Sequence, residues 1–577
     1  MIKKYLIIPA LLFCLLPVSA QIDKEVVLPK REVTLYNPYK PSLSVVQKKN
    51  FLPDLNDTVK ISPDFHYEIS AEAFQPVYPV SPIKAAALLP DPLSKLYKSY
   101  IKLGIGNYVS PLGELSITNE RSKKGAIGFY GRHFSNNGNI KLDNDRKVYG
   151  GYMDNEASLF GKKFFKSAIL GGSADFLQKT RYAYGYDTSI LVYAPSNKDI
   201  RLTYNNIGAK LSLASIKTDS SRLAYDFNIL YDFFTTSYNL SQHNVRFTGL
   251  MSKSYRQFYV GSGIEYDHYK IPQFLRDDSK YIASISPFIK NSSDQWSFKV
   301  AMQAVLERSV TIKPVLHIYP DLYLGFNIVP AYINFFAALS GKLEKNDPLQ
   351  VINENPFLYP DGSIFGLRNT DHELIVSTGF KGKTGLKGNY LVSASYSIIK
   401  DMLLYTNLVY ADSIPQPGSG NYFSALSDDA ELFNVHAEVT QPLNSSLTLS
   451  GVYNFYRYTL SENDFAWNKP DWDSRIGLKY NLRDKIIAGL ELTAIGKRKL
   501  MINGENPDIY TDLPVLDSKD PLEMPSHFNL NLSTEYRYSK ILSLWAKVNN
   551  ISYERYYEWA YYPSRRFFFM LGFTYSL

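Results

Sequence analysis

Arg566-Phe567-Phe568-Phe569-Met570-Leu571-Gly572-Phe573-Thr574-Tyr575-Ser576-Leu577 closes the chain and decides how the rest is read. Successive side chains of a strand point to opposite faces. Taken by twos from the carboxyl end, Leu577, Tyr575, Phe573, Leu571, Phe569 and Phe567 share one face, which is wholly apolar. Ser576, Thr574, Gly572, Met570 and Phe568 share the other, which is mostly small or polar. A tilted strand of about 9–11 residues crosses a bilayer core, and this stretch is long enough. One such strand fits a soluble sandwich equally well, so the decision rests on whether the pattern recurs.

It recurs from Lys98 onward. Ile127, Phe129 and Gly131 alternate with Gly128, Tyr130 and Arg132. Leu447, Leu449, Gly451, Tyr453 and Phe455 share a face. Ile476, Leu478, Tyr480 and Leu482 oppose Arg475, Lys479 and Asn481. Phe528, Leu530, Leu532, Thr534, Tyr536 and Tyr538 oppose Asn529, Asn531, Ser533 and Glu535. Short connections are expected near 121–124, 163–166, 218–221, 253–256, 291–294, 329–331, 382–387, 441–445, 482–485 and 539–540. Longer ones are expected near 135–154, 182–199, 270–279, 344–371, 411–428, 461–472, 499–525 and 553–565. Short and long alternate along most of the chain, as in barrels with short turns on one side of a membrane and long loops on the other. The expected fold is all-β: a closed antiparallel transmembrane β-barrel of roughly 22 strands, with both ends on the same side. Closure leaves no unpaired edge in lipid, so the last strand must pair with the first, near Tyr100–Tyr108. Membrane lipid is then a partner, and so are chaperones and a barrel-assembly machinery for an edge this aromatic.

Composition agrees. The chain is 45% hydrophobic and 15% aromatic, with 46 Tyr against 33 Phe, and tyrosine suits the two membrane–water boundaries. Residues 1–20 read as a signal peptide, with Lys3 and Lys4 before an apolar core and Val18-Ser19-Ala20 as cleavage site. The single cysteine, Cys14, falls inside that core, which removes disulfide and thiol–metal chemistry from the mature chain. Residues 21–97 hold ten of the 31 prolines and are expected as an irregular lumenal or periplasmic segment. A net charge of +8 spread over this length gives no basic module for nucleic acid.

The closing hairpin carries a resemblance. Asn550-Ile551-Ser552-Tyr553 to Tyr556, then Tyr562-Pro563-Ser564-Arg565-Arg566, then the terminal strand, resemble the carboxyl end of TonB-dependent outer-membrane receptors, and the overall style, including Ile318-Tyr319-Pro320-Asp321 and Asn353-Glu354-Asn355-Pro356-Phe357-Leu358, resembles barrels of the Bacteroides-type phylum. The resemblance implies an outer-membrane barrel of a Gram-negative cell that binds or passes a solute. It also implies a plug domain ahead of the barrel, and residues 21–97 are short and proline-rich for one. No TonB box is found, so coupling to TonB stays open. A second reading is a structural or assembly scaffold that anchors a lipoprotein or periplasmic partner.

No Walker loop, dinucleotide fingerprint, His-Glu-x-x-His or Gly-x-Ser-x-Gly motif occurs, so no cofactor or metal is expected and the chain is not read as an enzyme. Arg132, Arg475 and Lys479 are the candidate lumen-facing residues. One stretch, His133-Phe134-Ser135-Asn136-Asn137-Gly138, is similar to the His-x-Ser-Asn signature of outer-membrane lipid hydrolases. His133 and Ser135 would share the lipid face with Ile127 and Phe129, but no third residue can be placed to orient His133. Ordinary loop chemistry is the preferred reading. The connection 344–371, with Asp347, Glu354, Asp361 and Asp371, is read first as a solvated loop; binding a cation or sugar, or capping a pore, is the alternative.

Overall fold

The computed structural model describes residues 98–577 apart from 120–121, 144, 186–195, 217–222, 272–279, 310–312, 360–363, 365, 386, 410–421 and 505–520. The expected leader, 1–20, and the proline-rich segment, 21–97, lie outside the described residues.

Alternation builds one large sheet. It holds 23 strands, of which Ile502–Gly504 pairs parallel to Gly388–Val409 and stands outside the ring. The remaining 22 follow one another as antiparallel neighbours and close on themselves. The first strand, Ser99–Gly106, pairs with the last, Phe568–Ser576, from Tyr100↔Ser576 to Gly106↔Met570. Every barrel strand thus has two neighbours, the condition for burying backbone amides in hydrocarbon. At the closing seam Gly104 faces Gly572. The Trp545 indole occupies the space above both: a Cβ added at Gly104 would come within 2.4 Å of that ring, and one at Gly572 within 2.3 Å of it. Leu112, Trp545, Phe568 and Met570 bury one another there.

The outward face is apolar. Ile105 is 65% exposed, Leu211 61%, Ile318 60% and Leu571 56%. Such side chains repeat on strand after strand around the ring, and a surface this greasy is stable only against lipid. The terminal strand therefore turns Phe569, Leu571 and Phe573 outward, while Met570 and Phe568 are buried inside, as the alternation predicts.

At the end where the first strand starts and the last strand finishes, the short connections fall where the sequence places them; Arg483–Asp484 and Ala331 reach their turns through left-handed φ values. The opposite end holds the long connections together with shorter ones: Ser99–Gly106 and Ser110–Thr118 are joined there by three residues, of which Tyr108 and Val109 are left-handed, and Ala224–Thr236 and Ser241–Tyr255 by four. The helix in the described residues, Pro348–Glu354, starts in the connection 345–369, capped by Asp347, whose carboxylate accepts from the Leu349 amide at 3.0 Å.

The reading of that connection as a solvated loop is corrected. Val351, Ile352, Phe357, Leu358 and Ile364 are buried against Ala183, Ile200, Ala560 and Tyr562 from other connections, and against Tyr204, Tyr405 and Phe423 from the wall. Its apolar residues gain more by leaving water than the loop loses by being held. The described carboxylates are engaged. Asp347 pairs with Lys345 at 3.3 Å, Glu354 with Lys469 at 2.7 Å, and Asp371 accepts from Tyr319 at 2.7 Å. Asp361 lies outside the described residues. No cluster able to hold a metal ion occurs among the described residues.

Candidate functional site

An aromatic cap packs across the mouth at the end of the long connections. Phe357 and Tyr562 stack at 3.7 Å, Tyr184 stands edge-on to Tyr562 at 5.0 Å, and Trp559 lies edge-on to Phe423 at 5.1 Å. Backbone bonds tie the pieces together: the Phe423 amide donates to the Phe357 carbonyl at 3.0 Å, and the Tyr359 amide to the Phe423 carbonyl at 2.9 Å.

The cap is aimed by the closing hairpin. Asn550 is buried, with a left-handed φ of 52° that asparagine tolerates. Its Nδ2 donates to the carbonyls of Glu554 at 2.7 Å and Arg565 at 3.0 Å. Its Oδ1 accepts from Ser552 at 3.1 Å. Arg565 then reaches the Gly150 carbonyl at 2.7 Å and lies 4.7 Å over the Tyr108 ring. The Asn550 and Pro-Ser-Arg parts of the closing stretch thus fold the segment 550–567 inward.

Two chambers lie below. One, of about 390 Å³, is bounded by Tyr184, Phe357 and Tyr562 above and by Arg181, Asn549 and Arg565 at its sides. The other, of about 690 Å³, is bounded by Arg475, Thr493, Arg498, His527 and Trp559. Asn529, Tyr556 and Glu558 line both. Four arginines against two carboxylates, Asp473 and Glu558, face this space. Arg181 is neutralised by Asp154 at 2.7 Å. Among the described residues Arg498 is hydrogen-bonded through backbone, its Nη1 to the Glu558 carbonyl at 2.5 Å and Nη2 to the Tyr557 carbonyl at 2.7 Å. Its Nε is buried without a partner. Burial brings Arg498 down to about 10, so it stays cationic at neutral pH. Glu558 is open to the chambers yet enclosed by protein. That enclosure raises its carboxyl above the usual range, against the pull of Arg498 and Arg181.

The candidate residues read from sequence divide. Arg132 faces inward but is spent in an ion-pair lattice, with Glu156 at 3.0 Å and Glu114 at 3.5 Å. Arg475 and Lys479 also face inward, on Trp472–Leu482, with no hydrogen bond or ion pair among the described residues; of the two only Arg475 borders a chamber. His133 and Ser135 lie on the strand face of the exposed Ile127 and Phe129. Asn155 stands directly across the register from His133, with its Oδ1 2.6 Å from His133 Nδ1. Arg498, Glu558 and Arg565 were not expected, because they sit in connections where no period marks an inward face.

No protein-family model and no curated protein sequence matches the chain. Solved structures do. The FrpB iron transporter from Neisseria meningitidis superposes with a TM-score of 0.63 at 11% identity, over 84% of this chain and 82% of that one. The copper transporter OprC gives 0.59 at 12%, over 83% and 80%. The siderophore receptor PiuA from Acinetobacter baumannii gives 0.58 at 9%, over 84% and 82%. The fold is that of the TonB-dependent receptors. At such identities the likeness is one of fold. These neighbours are transporters and receptors rather than enzymes.

Proposed function

We propose that the chain is an outer-membrane transporter that takes a small oxyanion or anionic chelate from outside the cell. The solute passes the aromatic cap, rests in the two chambers, and crosses when the cap and the inward-folded segment 550–567 move. The observation that carries this reading is the pair of chambers beneath the aromatic cap, where among the described residues Arg475 has no hydrogen bond or ion pair and Arg498 hydrogen-bonds to carbonyls alone, with Glu558 its nearest carboxylate by electrostatics. A guanidinium left without a carboxylate is suited to receive one from a ligand. The site works by binding and not by bond chemistry. Lys479 and Arg132 line the inner face further along the path, Arg132 holding the wall by its ion pairs and Lys479 offering a second charge.

The fold supports energised passage, with TonB as the periplasmic partner. The terminal strand, with Phe569, Leu571, Phe573 and Leu577 on one face, serves as the signal read by the barrel-assembly machinery. A lipoprotein that hands over the solute is a further expected partner.

The test uses citrate as probe and the purified chain in detergent. Binding should be saturable and fall about tenfold in Arg475→Ala or Arg498→Ala, the effect of about 1.4 kcal/mol from one charge-assisted contact. Equal citrate binding by chain and variants refutes the site. Co-purification of an assembly factor, with no binding of any anion, supports the scaffold reading instead.

A further inference from the structure

A second set of polar side chains lies outside the barrel, on the wall that faces lipid. Ser135 Oγ is 3.2 Å from His133 Nε2. His133 Nδ1 is 2.6 Å from Asn155 Oδ1. Asn155 Nδ2 donates to Gln178 Oε1 at 2.9 Å, and Gln178 Nε2 donates to Asn205 Oδ1 at 2.9 Å. The series crosses four neighbouring strands, Gly125–Asn136, Tyr152–Phe164, Ala168–Tyr182 and Arg201–Ser215. Its members share the face of Ile127, Leu159, Phe176 and Ile207, which are 60%, 53%, 38% and 51% exposed.

The hydrogen bonds run in a single sense. An amide oxygen only accepts. With Asn155 Nδ2 on the Gln178 carbonyl oxygen, the Asn155 oxygen faces His133, and the matching tautomer carries its proton on Nδ1. Nε2 is left with a lone pair directed at the Ser135 hydroxyl. A nucleophile, a base with its free nitrogen on that nucleophile, and a third group holding the base are the parts of an acyl-transfer site.

We propose that Ser135, His133 and Asn155 form an acyl-hydrolase triad whose substrate is an ester-linked lipid of the surrounding leaflet. His133 stands eight residues along its strand from Gly125. That is roughly 19 Å up a wall whose strands tilt by about 45° and rise ~3.3 Å per residue. It lies toward the upper edge of an apolar band about 25 Å tall, the depth at which lipid esters join headgroup to tails. Ser135 is only 7% exposed, and Met153 faces it in register. A lipid carbonyl reaches Oγ when that unbranched side chain turns aside.

The chemistry needs water alone as co-reactant. Ser135 Oγ bonds to the ester carbonyl carbon as its proton passes to His133 Nε2, and the carbonyl electron pair moves onto oxygen. Collapse restores the carbonyl and breaks the bond to the glyceryl or sugar oxygen, which leaves as an alcohol with the proton from His133. Water then attacks the acyl-serine, giving its proton to His133, and the fatty acid departs as Ser135 recovers its hydrogen. Asn155 holds the ring through Nδ1 and is a positioning residue.

The purified chain in detergent is treated with a fluorophosphonate probe and analysed by mass spectrometry. Separate samples receive phosphatidylethanolamine or lipopolysaccharide in mixed micelles, and released fatty acid is measured. Labelling at Ser135 is expected, with fatty acid from one arm or the other identifying the lipid. Ser135→Ala should lose the label and at least ~10³-fold of the rate. Asn155→Ala should lower kcat about tenfold or more with KM unmoved, and Asn155→Asp should restore it, an exchange that a role in wall stability alone would not produce. Heat-modifiable migration on gels confirms that each variant keeps its barrel. An unlabelled Ser135, or fatty-acid release that is the same in Ser135→Ala in both arms, overturns the proposal.

Discussion

Replacing Tyr562 by alanine should unlatch the mouth. Tyr562 is 1% exposed and its ring is the hub of the cap, 3.7 Å from Phe357, 5.0 Å from Tyr184 and 6.2 Å from Phe423. Truncating a buried aromatic to alanine costs about 3–5 kcal/mol through lost burial and the cavity left behind. The wall residues of the cap are held by sheet pairing, so the loss falls on the inward-folded connections. Taking ~3 kcal/mol, and a factor of ten per 1.4 kcal/mol, the open fraction rises by about 10²-fold. The only natural cysteine is Cys14, inside the expected leader, so a thiol placed at Asn549, which lines the smaller chamber, reports access to it. On intact cells, a membrane-impermeant maleimide should label Asn549→Cys slowly, and about 10²-fold faster when Tyr562→Ala is added. If the added substitution changes the rate by less than about threefold, the cap does not close the mouth.

Three more outcomes are expected. Trp545→Ala should lower the stability of the detergent-folded barrel by about 3–5 kcal/mol, seen as a lower urea midpoint for the heat-modifiable band. Gly572→Val should prevent closure altogether, because a Cβ there comes within 2.1 Å of the Leu103 carbonyl; the measurement is the yield of protease-resistant barrel in membranes. Enclosure disfavours the charged form of Glu558, so its neutral form is held to a higher pH than usual. Its loop is then most stable in acid and loses that stability as pH rises through the raised range. Citrate binding should strengthen as pH falls through the same range, provided citrate's own charge is corrected for, and Glu558→Gln should bind tightly without that dependence.

The wall was legible because period-2 alternation needs only near neighbours. Leu571 and Phe573 against Gly572 and Thr574 tell inside from outside without any tertiary knowledge, and the short turns count the strands. The same rule puts His133 and Ser135 on one face with Ile127 and Phe129. Asn155 was hidden because its role depends on inter-strand register across a connection 15 residues long, from 137 to 151, and one slip would turn it away. The cap was misread for a different reason. Phe357, Tyr562 and Trp559 stand among prolines and charges with no period, and burial of an aromatic in a loop leaves no local mark. Arg498 and Glu558 have the composition of solvated loop residues; only the inward fold of 550–567, organised by Asn550, brings them to the chambers.

The apolar cap draws its members from connections as far apart as Ala183 and Tyr562, that is, from near the beginning and the very end of the ring. No partial assembly can make it. A nascent chain stalled before its final hairpin lacks the Phe357–Tyr562 stack, so sealing is postponed until the seam beside Trp545 has shut. The cap is therefore the last item completed during biogenesis.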